Sequence, residues 1–446
     1  MKILSINSGS SSLKFMLYDY DKKETLTTGV VERVGIEGSF IEFTTAKGKI
    51  TEKHMCPDHE VAFKLMVQKM TEKEYGILGS MNEIKAVGHR VLHGGTKIKR
   101  SCIIDQETID IFKSIYDLGP LHMPPNVTGI IAARAVLPNV PHMAIMDTAF
   151  HQTMPAHTYM YALPYEWFEK YGIRRYGFHG TSHLYVSRRT AVLLGKEAKN
   201  TNAIILHIGN GASACAIRDG KCYDTSMGLT PLEGLIMGTR SGDMDPAIIN
   251  FIAEKEGKTT PEIDNILNKK SGLVGITGKY SDRRDVLAGA NEGDERCKLA
   301  VDMEAYRLKK YIGAYAAALG RVDAIVCTAG VGEMNTLIRQ RALEGLEAFG
   351  IKIDSAKNAM CHTRNGEMEI STDDSKVKIY VIPTDEEIVF IEDVVALTNG
   401  TYKDPAEFVY PFEKADYVNH QRARAFAAEC EKTPELAKIQ AKPRKA

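Results

Sequence analysis

An α/β fold is what the sequence predicts, and three observations lead there. Short apolar runs rich in Val and Ile alternate with longer runs of helical period. The first two apolar runs are separated only by Asn7-Ser8-Gly9-Ser10-Ser11-Ser12, a gap that antiparallel strands can bridge and a helical crossover cannot. A second strand, small-residue tip and strand follow, with Gly209-Asn210-Gly211-Ala212-Ser213 as the tip. Two readings fit this recurrence: a fold duplicated in two halves, each opening with a hairpin, or two unrelated hairpins.

Taken in order, Ile3, Leu4 and Ile6 make 2–7 a strand, and Leu13, Phe15 and Leu17 make 13–18 its hairpin partner. A helical pattern over 61–74 leads to a strand over 86–92. A helix over 127–136 precedes a strand over 142–148, after which a domain boundary near 150 is expected. The second half holds a helix over 186–194, strands over 203–208 and 212–217, and helices over 246–256 and 298–319. A strand over 322–328, a helix over 336–349, a strand over 377–383 and a helix over 387–397 complete it. Beyond 411 the chain carries a basic surplus and a helical pattern over 423–436 broken at Pro434. It reads as a solvated, poorly ordered tail.

With 446 residues, two or three domains are expected. The formal net charge of 0 excludes a general nucleic-acid binder, whose phosphate affinity needs a cationic surplus. A content of 44% apolar and 26% charged residues excludes disorder over most of the length. No apolar run is long enough for a membrane helix, and the N-terminus becomes polar too quickly for a secretory signal. Eight scattered cysteines without a C-x-x-C pair read as reduced thiols in a cytoplasmic protein, not as a zinc site or a disulfide framework.

Three glycine-containing tips stand at strand ends, at 7–12, 209–211 and 328–333. Small residues let a backbone approach phosphate closely, and Lys14 adds charge beside the first tip. None is a P-loop, because G-x-x-x-x-G-K-[ST] is absent. Arg90 and Arg240 both lie near glycines, where a guanidinium can grip a carboxylate or a phosphoryl group, though a surface ion pair fits either one taken alone. His179 lies in Gly177-Phe178-His179-Gly180-Thr181-Ser182-His183, as a positioned donor or as a structural histidine. Asp147 and Glu386 follow apolar strands, where a carboxylate can hold magnesium or form a salt bridge.

Together these strings resemble the acetate kinase family, of the acetate and sugar kinase, heat-shock-70 and actin superfamily. The resemblance is carried by Asn7–Lys14, Gly88–Gly95, Pro120-Leu121-His122, Asp147–His151, Gly177–His183, His207–Gly211, Met237–Asp245 and Pro383–Glu387, in family order over about 1–400. It implies two duplicated ribonuclease-H-like (actin-like ATPase) domains with a cleft between them. The first would span 1–150, completed by about 386–400, and carry the acyl and metal side. The second would span 151–385 and bind the nucleotide, and 401–446 would be an extension without a known counterpart.

The implied reaction is in-line transfer of the ATP γ-phosphoryl group to acetate, giving acetyl phosphate and ADP. Arg90, Asp147, His179 and Arg240 would be catalytic. Leu92, Leu121, His122, Phe178 and Pro231 would bind the acid, and Asn7 and Glu386 would hold Mg2+, with Mn2+ able to substitute. Ser10, Ser12, Lys14, His207, Asn210, Gly211, Asp282, Arg283, Arg284 and Gly330 would meet the nucleotide. A homodimer is also implied. Leu92 stands where the family often has Val, which favours acetate over longer acids, with propionate kinase as the alternative. Met123 and Met334 replace a usual Asn, Ala329 a usual Gly, and Arg283 a usual apolar residue, which bears on the choice of nucleotide base. A non-enzymatic ATP-gated binding protein of the superfamily fits less well, because the chain has no separate peptide-binding domain.

Overall fold

The computed structural model describes residues 1–444, which fall into two compact units. Unit 1 is Met1–Phe150 with Glu386–Phe408, and unit 2 is His151–Asp385 with the chain from Val409 onward.

In unit 1, β1 (Lys2–Ser8) and β2 (Ser12–Asp19) form an antiparallel hairpin in which Asn7 faces Lys14. β3 (Glu24–Glu32), β4 (Phe40–Thr45) and β5 (Gly48–Lys53) continue the antiparallel side. On the other side of β1, β6 (Ile84–Val91) and then β8 (His142–Met146) pair in parallel, with the short β7 (Cys102–Ile103) at the edge. Strand alternation decides the two faces. Leu4 and Ile6 join Phe63 and Met66 of helix His59–Thr71, while Ile3 joins Phe390 and Val394 of helix Glu386–Thr398. Gly88 lets that last helix lie close to the sheet, since a Cβ there would stand 2.3 Å from the Phe390 ring.

Unit 2 repeats the arrangement. β9 (Ala203–Ile208) and β10 (Ala212–Arg218) form its hairpin, and β11 (Lys221–Thr225) extends it. β12 (Ala324–Thr328) and β14 (Lys378–Val381) add in parallel, with β13 (Met368–Glu369) at the edge. The central order β3-β2-β1-β6-β8 of one sheet matches β11-β10-β9-β12-β14 of the other. Three antiparallel strands followed by two parallel ones, twice over, make the recurring hairpins the mark of a duplicated fold rather than a coincidence.

Several elements differ from the sequence expectation. β3, β4 and β5 were not expected, because their apolar residues alternate with Glu, Lys and Thr at an exposed sheet margin. The helix expected over 336–349 ends at Leu343, before Gly345 turns at positive φ. The largest correction concerns the C-terminal segment, expected to be solvated and loosely held. Tyr410 and Phe412 are buried and stacked, and helix His420–Lys432 buries Phe426. Leu436 and Ile439 are buried in a 3-10 turn that begins at Pro434. These residues are few and widely spaced, so the helical pattern over 423–436 shows no buried face. The basic end at 442–445 is described only to Arg444, so Lys445 lies outside the described residues.

Glu392, on helix Glu386–Thr398, accepts a hydrogen bond from Tyr20 (3.1 Å). Burial raises its pKa to about 7, with Asp393 adding to the rise and the Tyr20 bond and Lys23 opposing it. Between the ordinary carboxyl range and about 7 the folded chain keeps a proton that the unfolded chain has lost, so this stabilisation disappears as pH rises through 7. Glu392→Gln, neutral at every pH, should therefore be more stable than the parent at about pH 8, by on the order of 1–3 kcal/mol, with the gap closing near pH 5. Urea unfolding at both pH values measures this.

Candidate active site

The unit 1 residues gather at the carboxyl ends of neighbouring parallel strands, where α/β sheets present their ligand-binding groups. Asn7 lies at the end of β1, Arg90 near the end of β6, and Asp147 directly after β8. Arg90 donates from Nε and Nη2 to the two Asp147 oxygens, each at 2.9 Å, and Glu386 Oε2 lies 3.8 Å from Nη2. Asp147, chiefly, and Glu386 raise the Arg90 pKa against the opposing effect of desolvation. The Asp147 side chain is only 7% exposed and that of Arg90 is 39% exposed, so the fork is fixed at its base and open at its outer edge.

The tip between β1 and β2 is held by imported side chains. His59 Nε2 donates to the Gly9 carbonyl (2.8 Å). Asn126 Nδ2 donates to the Ser8 carbonyl (2.8 Å), while its Oδ1 accepts the Leu92 N–H (3.0 Å). Asn126 is buried and ties the tip to the strand that carries Arg90; its place just before the helical run expected over 127–136 gave no sequence signal. Ser10 and Lys14 are exposed and Ser12 half-buried. Leu92 packs on the cluster around Val91 and Ile104, whereas Leu121 is 58% exposed and His122 directly precedes helix Met123–Val136. The side-chain oxygens of Asn7 and Glu386 are of the kind that a hard divalent cation such as Mg2+ takes.

In unit 2 the equivalent strand ends carry His207 on β9, Ala329-Gly330 after β12 and Thr384 after β14. The tip Gly209-Asn210-Gly211 is the meeting point. A Cβ added to Gly211 would stand 3.2 Å from Arg240 Nη2 and 3.6 Å from His179 Nε2. The Gly238 N–H donates to the Asn210 carbonyl (3.0 Å), and Arg283 Nη1 donates to the Gly209 carbonyl (2.5 Å). Arg283 is buried against Glu304, so its guanidinium is engaged inside the protein, while the neighbouring Arg284 is exposed and paired with Asp282. Gly330, second in helix Ala329–Met334, faces Arg364, whose Nη2 would be 3.1 Å from a Cβ there.

Arg240 is half-buried. Nη1 donates to the Pro231 carbonyl (2.8 Å), and no carboxylate lies within ion-pair range among the described residues. Burial alone lowers its pKa.

His179 adopts the left-handed conformation (φ 57°) at the start of helix Gly180–Leu194. Its Nδ1 hydrogen-bonds Ser213 Oγ (2.8 Å), which also meets His183 Nε2 (2.8 Å). Burial, with His151 and His207 nearby, keeps the His183 pKa well below its ordinary value. The His179 ring stacks on His207 at 4.1 Å, and His207 Nδ1 is bonded to Ser182 Oγ (2.7 Å). Behind them His151 Nε2 donates to the carbonyl of the buried Phe178 (2.8 Å), and its Nδ1 meets Cys222 Sγ (3.1 Å). Ser182, Ser213 and Thr384 were not singled out from sequence, although each lies inside a string that was.

A model of the acetokinase family matches residues 2–392. The acetate kinase of Geobacter metallireducens is 58% identical over 420 residues, covering 94% of this chain and all of that one. The crystal structure of Porphyromonas gingivalis acetate kinase superposes with a TM-score of 0.85 at 44% identity, covering 89% of this chain and 99% of the other. A propionate kinase from Francisella tularensis gives 0.80 at 39% identity, covering 87% and 97%. With a match of this extent laid over strand ends that present the arginines and histidines in this way, the chain belongs to the acetate kinase (acetokinase) family.

Proposed function

We propose that this chain is an ATP-dependent acetate kinase, which reversibly moves the γ-phosphoryl group of ATP to acetate. The observation that carries the residue assignments is Arg240, a half-buried cation without a carboxylate partner among the described residues, placed with His179 Nε2 around the Gly211 tip. A partly desolvated cation without a counter-charge favours an anion beside it. The dianionic phosphoryl group is such an anion.

In this reading an acetate oxygen attacks the γ-phosphorus in line, the bond to the bridging oxygen breaks, and ADP leaves with the electron pair. Arg240 binds the group in flight and His179 donates to its equatorial oxygens. Arg90, kept protonated and aimed by Asp147, holds the acetate carboxylate. Because both Asp147 oxygens are engaged by Arg90, Asp147 orients rather than attacks. His207, Asn210 and Gly211 line the phosphate path, with Ser10, Ser12 and Lys14 as further nucleotide contacts. Asn7 and Glu386 would hold Mg2+, which neutralises charge on the phosphate oxygens. Asp282, Arg284 and Gly330 remain the adenosine side; Arg283, turned inward, holds the Gly209 carbonyl instead.

Three further proposals accompany this. The acid is acetate, with Leu92 as the wall that penalises a longer chain; the propionate kinase neighbour makes propionate the second reading. The chain works as a homodimer, supported by Leu299, Met303 and Tyr306, exposed along one face of helix Glu295–Leu319, and by exposed Ile248 and Phe251 of helix Ala247–Glu256. It works in the cytoplasm, supported by eight unpaired cysteines, since reduced thiols suit that compartment. No helix among the described residues is long and apolar enough to cross a membrane.

Arg240→Ala and His179→Ala should each lower kcat for acetyl phosphate formation roughly 10²–10³-fold with circular dichroism unchanged, as read by a hydroxamate assay. Near-normal turnover by Arg240→Ala would overturn the assignment. Leu92→Val should raise kcat/KM for propionate relative to acetate by about tenfold, the effect of one methylene, as measured with both acids in the same assay. Sedimentation equilibrium should return twice the chain mass, and a monomer mass would remove the dimer proposal.

A further inference from the structure

The C-terminal segment reaches the chain just after β14. Asn419 caps helix His420–Lys432, its Oδ1 accepting the Arg422 N–H (3.1 Å), and its Nδ2 donates to Asp385 Oδ2 (2.9 Å). One turn on, Arg422 donates from Nη1 to the Pro383 carbonyl (2.9 Å) and from Nη2 to the Thr384 carbonyl (2.6 Å). Both residues of one helical turn therefore grip three consecutive residues, 383–385. The helix itself is a fixed platform. Phe426 lies against Gly366, and Glu429 accepts from Thr363 Oγ1 (2.5 Å) and Asn365 Nδ2 (2.7 Å).

What is gripped leads into the phosphoryl site. The Thr384 hydroxyl donates to Ser182 Oγ (2.8 Å), and its N–H donates to Glu333 (3.2 Å). Ser182 Oγ is bonded to His207 Nδ1, and the His207 ring stacks on His179. The same segment also holds the helix that follows His179, because Arg189 donates to the Phe412 carbonyl (2.8 Å) and Phe412 packs on Tyr185.

We propose that the C-terminal segment is a positioning element of the phosphoryl site: Asn419 and Arg422 fix Thr384, whose hydroxyl sets Ser182 and, through it, the stacked His207 and His179 rings. The inference rests on the reading of His179 as the phosphoryl-group donor. A guanidinium with two parallel donors and an amide on a capped helix specify the 383–385 backbone more tightly than a turn of chain does alone. Displacement of a reacting group by about 1 Å is enough to cost orders of magnitude in rate.

The test uses the full-length enzyme with Arg422→Ala, Arg422→Gln, Thr384→Val, the double variant Arg422→Ala/Thr384→Val, Phe426→Ala and His179→Ala. Arg422→Ala and Thr384→Val should each lower kcat roughly ten- to a hundredfold, with KM for ATP and acetate nearly unchanged. The double variant should fall no further than the weaker single, because both act on one path. Arg422→Gln, which keeps one donor, should recover part of the rate. Phe426→Ala should lower the unfolding temperature yet keep kcat when assayed well below it.

Wild-type kcat in Arg422→Ala, multiplicative losses in the double variant, or an equal kcat loss in Phe426→Ala would each overturn the proposal. If His179→Ala turns over normally, the site reading fails; if it is inactive while Arg422→Ala is unaffected, only this inference fails.

Discussion

A loop made of glycine, serine and asparagine can come close to a phosphate, but it has no side-chain bulk with which to hold itself still. That constraint shapes both halves of the molecule. At the first tip the missing packing is supplied by His59 on Gly9 and by Asn126 on Ser8 and Leu92. Helix Met123–Val136 presses so close that a Cβ at Gly129 would stand 1.9 Å from Ser8 Oγ. At the second tip Arg283 holds the Gly209 carbonyl, and Gly238 holds that of Asn210. The two solutions use different residues at equivalent strand ends, as expected where the fold constrains a backbone position but not the side chain that secures it. Close approach and rigidity are separated between loop and scaffold, which is how a preorganised site is built from small residues.

The formal charge of 0 conceals a local imbalance of the same kind. Arg283 meets Glu304, and Arg189 meets Glu367 in a fork. Arg339 is satisfied by the carbonyls of Gly332, Glu333 and Cys361 and by Asn358. Arg90 has Asp147, and yet its outer edge remains exposed. Arg240 alone of these has one carbonyl and no carboxylate among the described residues. An arginine whose donors are taken up inside the protein is structural, whereas one that keeps donors open is the better candidate for a ligand. The partner set, more than burial, separates the two functions.

Much of this was legible in the sequence because it is local. The two hairpins declared themselves through gaps too short for a crossover, and the strings around Arg90, His179 and Gly211 placed candidate ligand-binding groups beside glycine. What the sequence hid depends on contacts between distant residues. Asn126 sits in an otherwise apolar helix, and nothing local says that its amide reaches Ser8. Arg283 lies in a stretch that resembles a nucleotide contact, yet Glu304, remote in sequence, turns it inward. The C-terminal segment was misjudged for a similar reason: its buried apolar residues are few, and their partners in unit 2 are remote in sequence, Gly366 for Phe426 and Tyr185 for Phe412. Composition reports average solvation, and a short strap fixed at a few points escapes it.

Backbone strain closes the argument about His179. A non-glycine residue in the left-handed region costs on the order of 1 kcal/mol and persists only where its surroundings over-determine it. His179 is such a residue, and its side chain does not cap the helix that it begins. The ring is committed instead to Ser213 and to the stack on His207, while His151 fixes the preceding carbonyl from behind. Ala329, after β12, adopts the same conformation next to the Gly209 tip, at 3.9 Å from where a Gly209 Cβ would stand. Both strained residues therefore border the Gly209–Gly211 loop, proposed above to approach the phosphate. A relaxed backbone at 179 would direct the ring elsewhere, so the strain is the local cost of aiming an imidazole at the space around Gly211 that Arg240 also faces.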